Sequence, residues 1–392
     1  MLKKILFFMP DGLYGTTRHF THELRKAFQK KGVETKIFDF EEIDVLSVME
    51  IVKMEKPDFT CTFNPILPLS DGRLFCDYVK TPHLNILVDI SIDLLYLLKS
   101  PYSIISCVDL FFCEYLKMGD FRNTLFFPHG VNSDIVPGEE KGRIYDVVML
   151  GTCNDYENIS DSWEKTYSPK VARLAKRVIE EVFSDSRTSY LFALMKSLEE
   201  EKISPKEIHL TKLFREVEAC IKGRGRVEMV RAIKDAEVHI FGESKGSKGW
   251  KDYLSSQKNV VFHDSIPFEE TIEVMRKSKI LLNSVPFFKY GSHERLFYGL
   301  ASGASVVTDE TLFNKGEFKQ GEGVLFYKAW KSGEISSEIK ELLKEPKKRI
   351  AAVEKGRQKV LEKHSWECRV DFLVKEMPGI LDRIARKTKS SC

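Results

Sequence analysis

The chain has 392 residues, of which 43% are hydrophobic and 30% charged, and a net charge of +3. That length suits about two or three domains, each able to bury a core, and the small net charge does not by itself imply a nucleic-acid partner. No stretch approaches the roughly 18–20 apolar residues of a membrane span, and the eight cysteines form no C-x-x-C pair, so the reading is a soluble protein with reduced thiols in a cytoplasmic setting and no zinc site.

The first apolar run, residues 5–9, is too short for a secretory leader and ends at Asp11-Gly12, so it reads as a strand. Residues 18–31 are an amphipathic helix closed by Gly32, 33–40 a strand and 45–53 a helix. Residues 59–63, 84–88, 110–113 and 125–127 read as further short strands. Strands alternating with helices predict a parallel sheet covered on both faces, and such sheets bind ligands at the carboxyl ends of their strands. The polar run Pro137-Gly-Glu-Glu-Lys-Gly-Arg143 marks a domain boundary, and residues 145–150 restart the pattern with a new first strand. Residues of about 160–234 are charged and helical, too long for one crossover helix, and predict a helical insertion. Strands at 238–241 and 260–262 and a helix at 271–277 follow, and residues 366–387 close the chain as an amphipathic helix.

The richest segment runs from Ser278 to Asp309. Residues 280–284 read as a buried strand, a loop ends at Gly291, and Ser292 is the expected N-cap of a helix starting at His293. Leu296 and Leu300 lie four apart, as do Phe297 and Ala301, and Gly303 ends the helix before a strand at 304–308. His293, Glu294 and Arg295 then sit in the first turn, beside free backbone N–H groups and the positive end of the dipole, which suits an anion. Glu294 can accept hydrogen bonds from sugar hydroxyls, and Arg295 can reach phosphate.

The run GSHERLFYGLASGASVVTDE resembles the C-terminal signature of the spore-maturation CgeB-like glycosyltransferases, GT-B enzymes related to the group-1 glycosyltransferases. The match covers Gly291, Ser292, His293, Glu294, Arg295, Phe297, Leu300, Ala301, Gly303, Thr308 and Asp309. It departs at Gly299, where alanine is usual, at Ser302, where cysteine is usual, and at Tyr298, a position often acidic in group-1 enzymes. The resemblance implies an α/β fold of GT-B type: two Rossmann-like domains facing each other across a cleft. Residues 1–140 would be the acceptor domain. Residues 144–365 would be the nucleotide-sugar donor domain, with the insertion at about 160–234, and residues 366–392 would return to the first domain. It implies transfer of a sugar from a nucleoside-diphosphate sugar to an unidentified acceptor, with no cofactor, no metal and no nucleic-acid partner.

Other candidates take their roles from that frame. In the loop Asp11-Gly12-Leu-Tyr-Gly15, Asp11 is a candidate general base, with Gly12 and Gly15 letting backbone approach a ligand; the loop also reads as an ordinary tight turn. Asp89, after the strand at 84–88, is either a second candidate base or an N-cap for the segment that follows. His129, in Pro-His-Gly-Val-Asn, sits where many GT-B enzymes have a hinge and is a candidate substrate contact or a plain loop histidine. Gly151 and Asn154, then Gly242 and Glu243, follow strands where the donor diphosphate is approached, and Ile266-Pro267 lies where the base is contacted. His19 and His22, Arg224 and Arg226, and Lys347 to Arg349 read as solvent-facing charge. A nucleotide-sugar epimerase and a non-catalytic sugar-nucleotide or glycan-binding module are the rival readings.

Overall fold

The computed structural model describes residues 2–10, 12–89 and 92–389. The chain divides into two compact units, one of residues 1–134 and 361–392, the other of residues 135–360.

Six parallel strands build the first unit: β1 (Lys4–Met9), β2 (Glu34–Asp39), β3 (Phe59–Phe63), β4 (His83–Leu87), β5 (Ser103–Cys107) and β6 (Thr124–Phe126), in the order β2-β1-β3-β4-β5-β6. Every residue of β3, β4 and β5 is buried. Both faces are covered, so polar residues of these strands such as Thr60, His83 and Asn85 are buried too and find partners inside the sheet: Thr60 Oγ1 with His83 Nδ1 at 2.7 Å, and Asn85 Nδ2 to the Ile104 carbonyl at 3.1 Å. The crossovers carry α1 (Thr16–Lys30), α2 (Val45–Glu55), α3 (Phe75–Val79) and α4 (Leu110–Met118). Asp44 caps α2 by accepting from the Leu46 and Ser47 amides, both at 3.0 Å. The run at 110–113 is helix, contrary to the strand expected there. Asp109 accepts the Phe111 amide at 2.8 Å, and Phe112, Cys113 and Leu116 are buried at helical spacing. The strand lies just before it, in β5. The segment after Asp89 also differs: residues Ile92–Lys99 form 3-10 turns, not a capped α-helix.

The second unit holds another six-stranded parallel sheet, of β7 (Tyr145–Leu150), β9 (Val238–Phe241), β11 (Val260–His263), β12 (Ser278–Asn283), β13 (Ser305–Asp309) and β14 (Val324–Tyr327). A two-stranded ribbon of β8 (Cys153–Asn154) and β10 (Ser244–Lys245) stands beside it. The order is β11-β9-β7-β12-β13-β14. The chain lays β9 and β11 on one side of β7, then returns to lay β12, β13 and β14 on the other. The neighbouring carboxyl ends of β7 and β12 are therefore the topological switch point, where such sheets bind ligands.

Between β8 and β9 the chain inserts α5 (Tyr156–Thr166), α6 (Pro169–Ser184), α7 (Tyr190–Glu200) and α8 (Leu210–Arg231). α6 starts cleanly, with Ser168 capping the Val171 amide and Pro169 in the first turn. Its buried stripe is Val171, Leu174, Ala175, Val178 and Val182. The unit continues through α9 (Trp250–Tyr253), α10 (Phe268–Arg276), α11 (Glu294–Ala301), α12 (Leu312–Glu317), α13 (Ile335–Lys344) and α14 (Pro346–His364). Arg349, expected in solvent, is only 2% exposed and pairs with Glu140. A buried guanidinium needs such a partner.

The last helix, α15 (Trp366–Lys389), belongs to the first unit. Trp366 packs 5.3 Å from Phe20 of α1 and 5.9 Å from Phe63 of β3, ring centre to ring centre. Arg369 donates twice to the His129 carbonyl, at 3.1 and 3.0 Å. The aromatic burial and the charged hydrogen bonds together hold the chain's end on the first sheet.

Candidate functional site

The second unit assembles its polar residues around the switch point. The helix of the signature begins one residue later than the sequence suggests. His293, with extended backbone (φ −101°, ψ 155°), is the N-cap, and α11 starts at Glu294. Ser292 is fully buried and gives no cap hydrogen bond. The His293 imidazole instead lies against the Glu294 carboxylate. Glu294 and Arg295 are each 7% exposed, so both are largely out of water at the positive end of the helix. The Arg295 Nε donates to Asn283 Oδ1 at 3.4 Å. Asn283 ends β12 and donates to Thr308 Oγ1 at 3.0 Å. The signature arginine is thus tied to the strand end beside the switch point.

Gly299 has a packing reason for departing from alanine. A Cβ there would lie 2.7 Å from Leu281 Cδ2 and 2.9 Å from Val306 Cγ2. α11 lies that close to β12 and β13.

Across the switch point stands Arg226 of α8. Read from sequence as surface charge, it is 9% exposed. Its Nη1 donates to the Thr152 carbonyl at 2.5 Å, so its guanidinium lies over the loop leaving β7. Gly225, next to it, allows this: a Cβ at that position would lie 2.6 Å from Pro286 Cγ and 3.1 Å from Ser284 Oγ. α8 therefore crosses the strand ends at backbone contact distance. Arg224 does remain on the outer side, paired with Glu180 and Glu228.

Gly151 follows β7, and its carbonyl accepts from Trp250 Nε1 at 3.1 Å. Gly242 follows β9 so closely that a Cβ there would lie 2.0 Å from the Gly151 oxygen. Asn154 donates to the Ala219 carbonyl at 3.4 Å, joining the loop to α8. Glu243 is half-buried, 3.5 Å from Lys245. Ile266 is half-buried, and Pro267 is the exposed N-cap of α10. Just before them, His263 stacks on Phe241 at 4.2 Å and shares a 2.9 Å hydrogen bond with His239. Burial, with the neighbouring His239, lowers the affinity of His263 for a proton.

Asp309 ends β13 and is half-buried. Its carboxylate accepts the Val285 amide at 2.5 Å. Burial pushes its pKa up to about 7.

The remaining candidates belong to the first unit. Gly12 precedes a short 3-10 turn, and Gly15 is the left-handed N-cap of α1 (φ 72°). Asp89 is exposed after β4. His129 is 4% exposed, with its ring 5.6 Å from that of Phe20, so it is packed inside the unit. Asp11 lies outside the described residues. Gly151, Asn154, Gly242 and Arg295 thus gather at the ends of the second sheet. Gly12, Gly15, Asp89 and His129 lie in the other unit.

Sequence reasoning gave Arg226 and Asn283 no place near the switch point, and gave Asp309 only its match to the signature. For Arg226 one signal existed: Gly223 and Gly225 within a helical stretch are unfavourable unless something packs close to the backbone. Among the described residues, no group of three or more His, Cys, Asp or Glu is placed to hold a metal ion. No described helix is long and apolar enough to cross a membrane.

Residues 224–375 match the model of a family described as glycosyl transferase-like. That span opens beside Arg226 and contains the whole signature. None of the curated proteins compared with the chain matches it. Among solved structures, the chain is similar to HepE of Anabaena in complex with UDP and glucose. The identity is 9% and the TM-score 0.53, over 99% of this chain and 100% of that one. It is similar to a sucrose-phosphate synthase of Thermosynechococcus elongatus at 10% identity and a TM-score of 0.55, over 100% of both chains. It is also similar to a glycosyltransferase of Rickettsia africae at 12% identity and a TM-score of 0.55, over 97% and 99%. The two parallel six-stranded sheets with their helices are those of the GT-B fold.

Proposed function

We propose that this protein is a metal-independent glycosyltransferase of the CgeB-like type. It takes a nucleoside-diphosphate sugar as donor and transfers the sugar to an acceptor hydroxyl. The observation that carries this reading is the pairing of the α11 N-terminus with Arg226 at the end of the β7–β12 switch point. The leaving group is a diphosphate, whose charge grows as the glycosidic bond breaks. Helix N–H groups and guanidinium groups fixed before reaction stabilise such charge without reorganising. Arg226 and Arg295 supply the cations, and Gly151 and Gly242 let backbone approach the phosphates. Glu294 accepts from the sugar hydroxyls. No resident cofactor is needed for this chemistry.

Residues 144–365 then hold the donor, and the first unit holds the acceptor. An inverting reaction needs a base at the acceptor hydroxyl, for which Asp11 and Asp89 are the candidates. The described cysteines are free thiols, which supports a cytoplasmic setting. UDP is the first nucleotide to test, because the HepE structure contains UDP and glucose.

The test is incubation with UDP-, GDP-, ADP- and dTDP-sugars, alone and with acceptor mixtures, together with thermal shift. Slow hydrolysis of one donor, and faster transfer when acceptor is present, support the reading. A new sugar isomer without acceptor identifies an epimerase. Binding with neither reaction identifies a binding module. In crystals soaked with UDP, the diphosphate should contact the 293–295 turn and Arg226. Diphosphate bound instead at Gly12–Gly15 would reverse the roles of the two units.

A further inference from the structure

The ten residues from Ser284 to His293 link β12 to α11 and so carry the signature turn. This loop is pinned at several points. The Val285 amide is held by Asp309 at 2.5 Å, and the Gly291 carbonyl accepts from Thr311 Oγ1 at 3.0 Å. Both partners lie on the β13 side, within the span that matches the family model. The middle of the loop is also tied to that side, since the Leu312 amide donates to the Lys289 carbonyl at 2.8 Å, but the Lys289 side chain reaches the other way. Lys289 is 4% exposed, and its Nζ donates to the Val182 carbonyl at 2.8 Å and to the Asp185 carbonyl at 3.0 Å. Val182 is in the last turn of α6, and Asp185 is its C-cap.

The last carbonyls of a helix have no partner within it and carry the negative end of its dipole. An ammonium on a helix end is stabilised by both effects. A buried ammonium without such acceptors would be costly. Two further contacts join the same loop to the insertion. Pro286 lies against Gly225 of α8, and Lys222 of α8 sits 4.5 Å over the Phe287 ring. α6 lies wholly before residue 224, outside the family match. The anchor is therefore supplied by a segment outside the matched span.

We propose that Lys289 is a positioning residue that fastens the signature loop to the helical insertion. Through it, α6 sets where the α11 N-terminus meets the donor's diphosphate. The inference rests on the function proposed above. It adds a role for the insertion: not a spacer, but the support on which the anion-binding turn is held. A side chain that orients binding groups without touching the ligand can change affinity as strongly as a contact does.

The test compares the full-length protein with Lys289→Met and Lys289→Arg by amide hydrogen exchange, UDP calorimetry and thermal unfolding. In Lys289→Met, amides of residues 285–293 should exchange at least about tenfold faster, while those of β7 and β13 keep their protection. The UDP dissociation constant should rise about tenfold, and Lys289→Arg, which keeps the charge and donors, should recover most of both effects. If Lys289→Met does not fold, Lys289→Arg alone should show intermediate loop exchange and affinity. Unchanged loop exchange overturns the fastening. Faster exchange with unchanged UDP affinity overturns the role in donor binding. A wild-type protein with no affinity for any nucleoside diphosphate overturns the proposed function and the donor half of this inference. The exchange measurement still decides whether Lys289 holds the loop.

Discussion

Asp309 offers a quantitative check on the half-buried end of β13. Its carboxyl has an ordinary pKa of 3.8 and is pushed up to about 7 by burial, against smaller opposing effects of the Val285 amide and Lys289. The folded state therefore holds a proton that the unfolded chain releases between these two values. In that window the unfolded state binds fewer protons, so stability falls as pH rises. The contribution is fully present below about pH 4 and is lost as pH rises through about 7. The size is the difference of about 3 pKa units times 1.36 kcal/mol per unit, or about 4 kcal/mol. Asp309→Asn removes the ionisation but keeps an oxygen to accept the Val285 amide, which the carboxylate holds at 2.5 Å. The variant should match the wild type near pH 4 and exceed it by up to about 4 kcal/mol at pH 8. Urea unfolding of both proteins at several pH values from 4 to 9 measures this. Subtracting one curve from the other cancels the groups they share. A difference that stays constant between pH 5 and 8 would show that Asp309 titrates normally, and the burial argument would be wrong.

Four further outcomes test the site and its packing. Arg226→Ala should weaken UDP binding by roughly 1.5–3 kcal/mol, the worth of a charged hydrogen bond, and Arg226→Lys should restore little of it; calorimetry reads both. Glu294→Gln and Arg295→Ala should each slow transfer by roughly 2–4 kcal/mol of barrier, and near-normal turnover in both folded variants would sink their assignment. Dialysis against EDTA should leave transfer largely unchanged, whereas complete loss restored by manganese or magnesium would refute metal independence. Gly299→Ala, although it restores the residue usual in the signature, should destabilise by roughly 1–3 kcal/mol through overpacking, because the new methyl would lie 2.7 Å from Leu281 Cδ2. Thermal unfolding reads that cost.

Much of this architecture is written in local pattern. The strand at 145–150 and the strand at 238–241 have the bounds read from their apolar runs. The signature helix and the C-terminal helix follow from residues spaced at the helical period, because that spacing alone makes one continuous apolar face. The signature at 291–309 is likewise a linear string, and its resemblance to glycosyltransferases is legible from the residues alone. Period reports only that a face is apolar, and short apolar runs fit either element. Leu110-Phe-Phe-Cys113 became helix because Asp109 caps it and β5 already fills the sheet position. Burial of charge was scarcely legible, the glycines beside Arg226 being the one hint. Arg226, Lys289 and Arg349 look like solvent residues in the sequence, and each is buried because a distant segment offers it an acceptor: the Thr152 carbonyl, the end of α6 and Glu140. Those partners are 74, 107 and 209 residues away along the chain. Local sequence sets which residues can form a strand, a helix or an anion-binding turn. Only tertiary packing decides which charged side chains leave water, because that depends on which acceptors the fold brings to them.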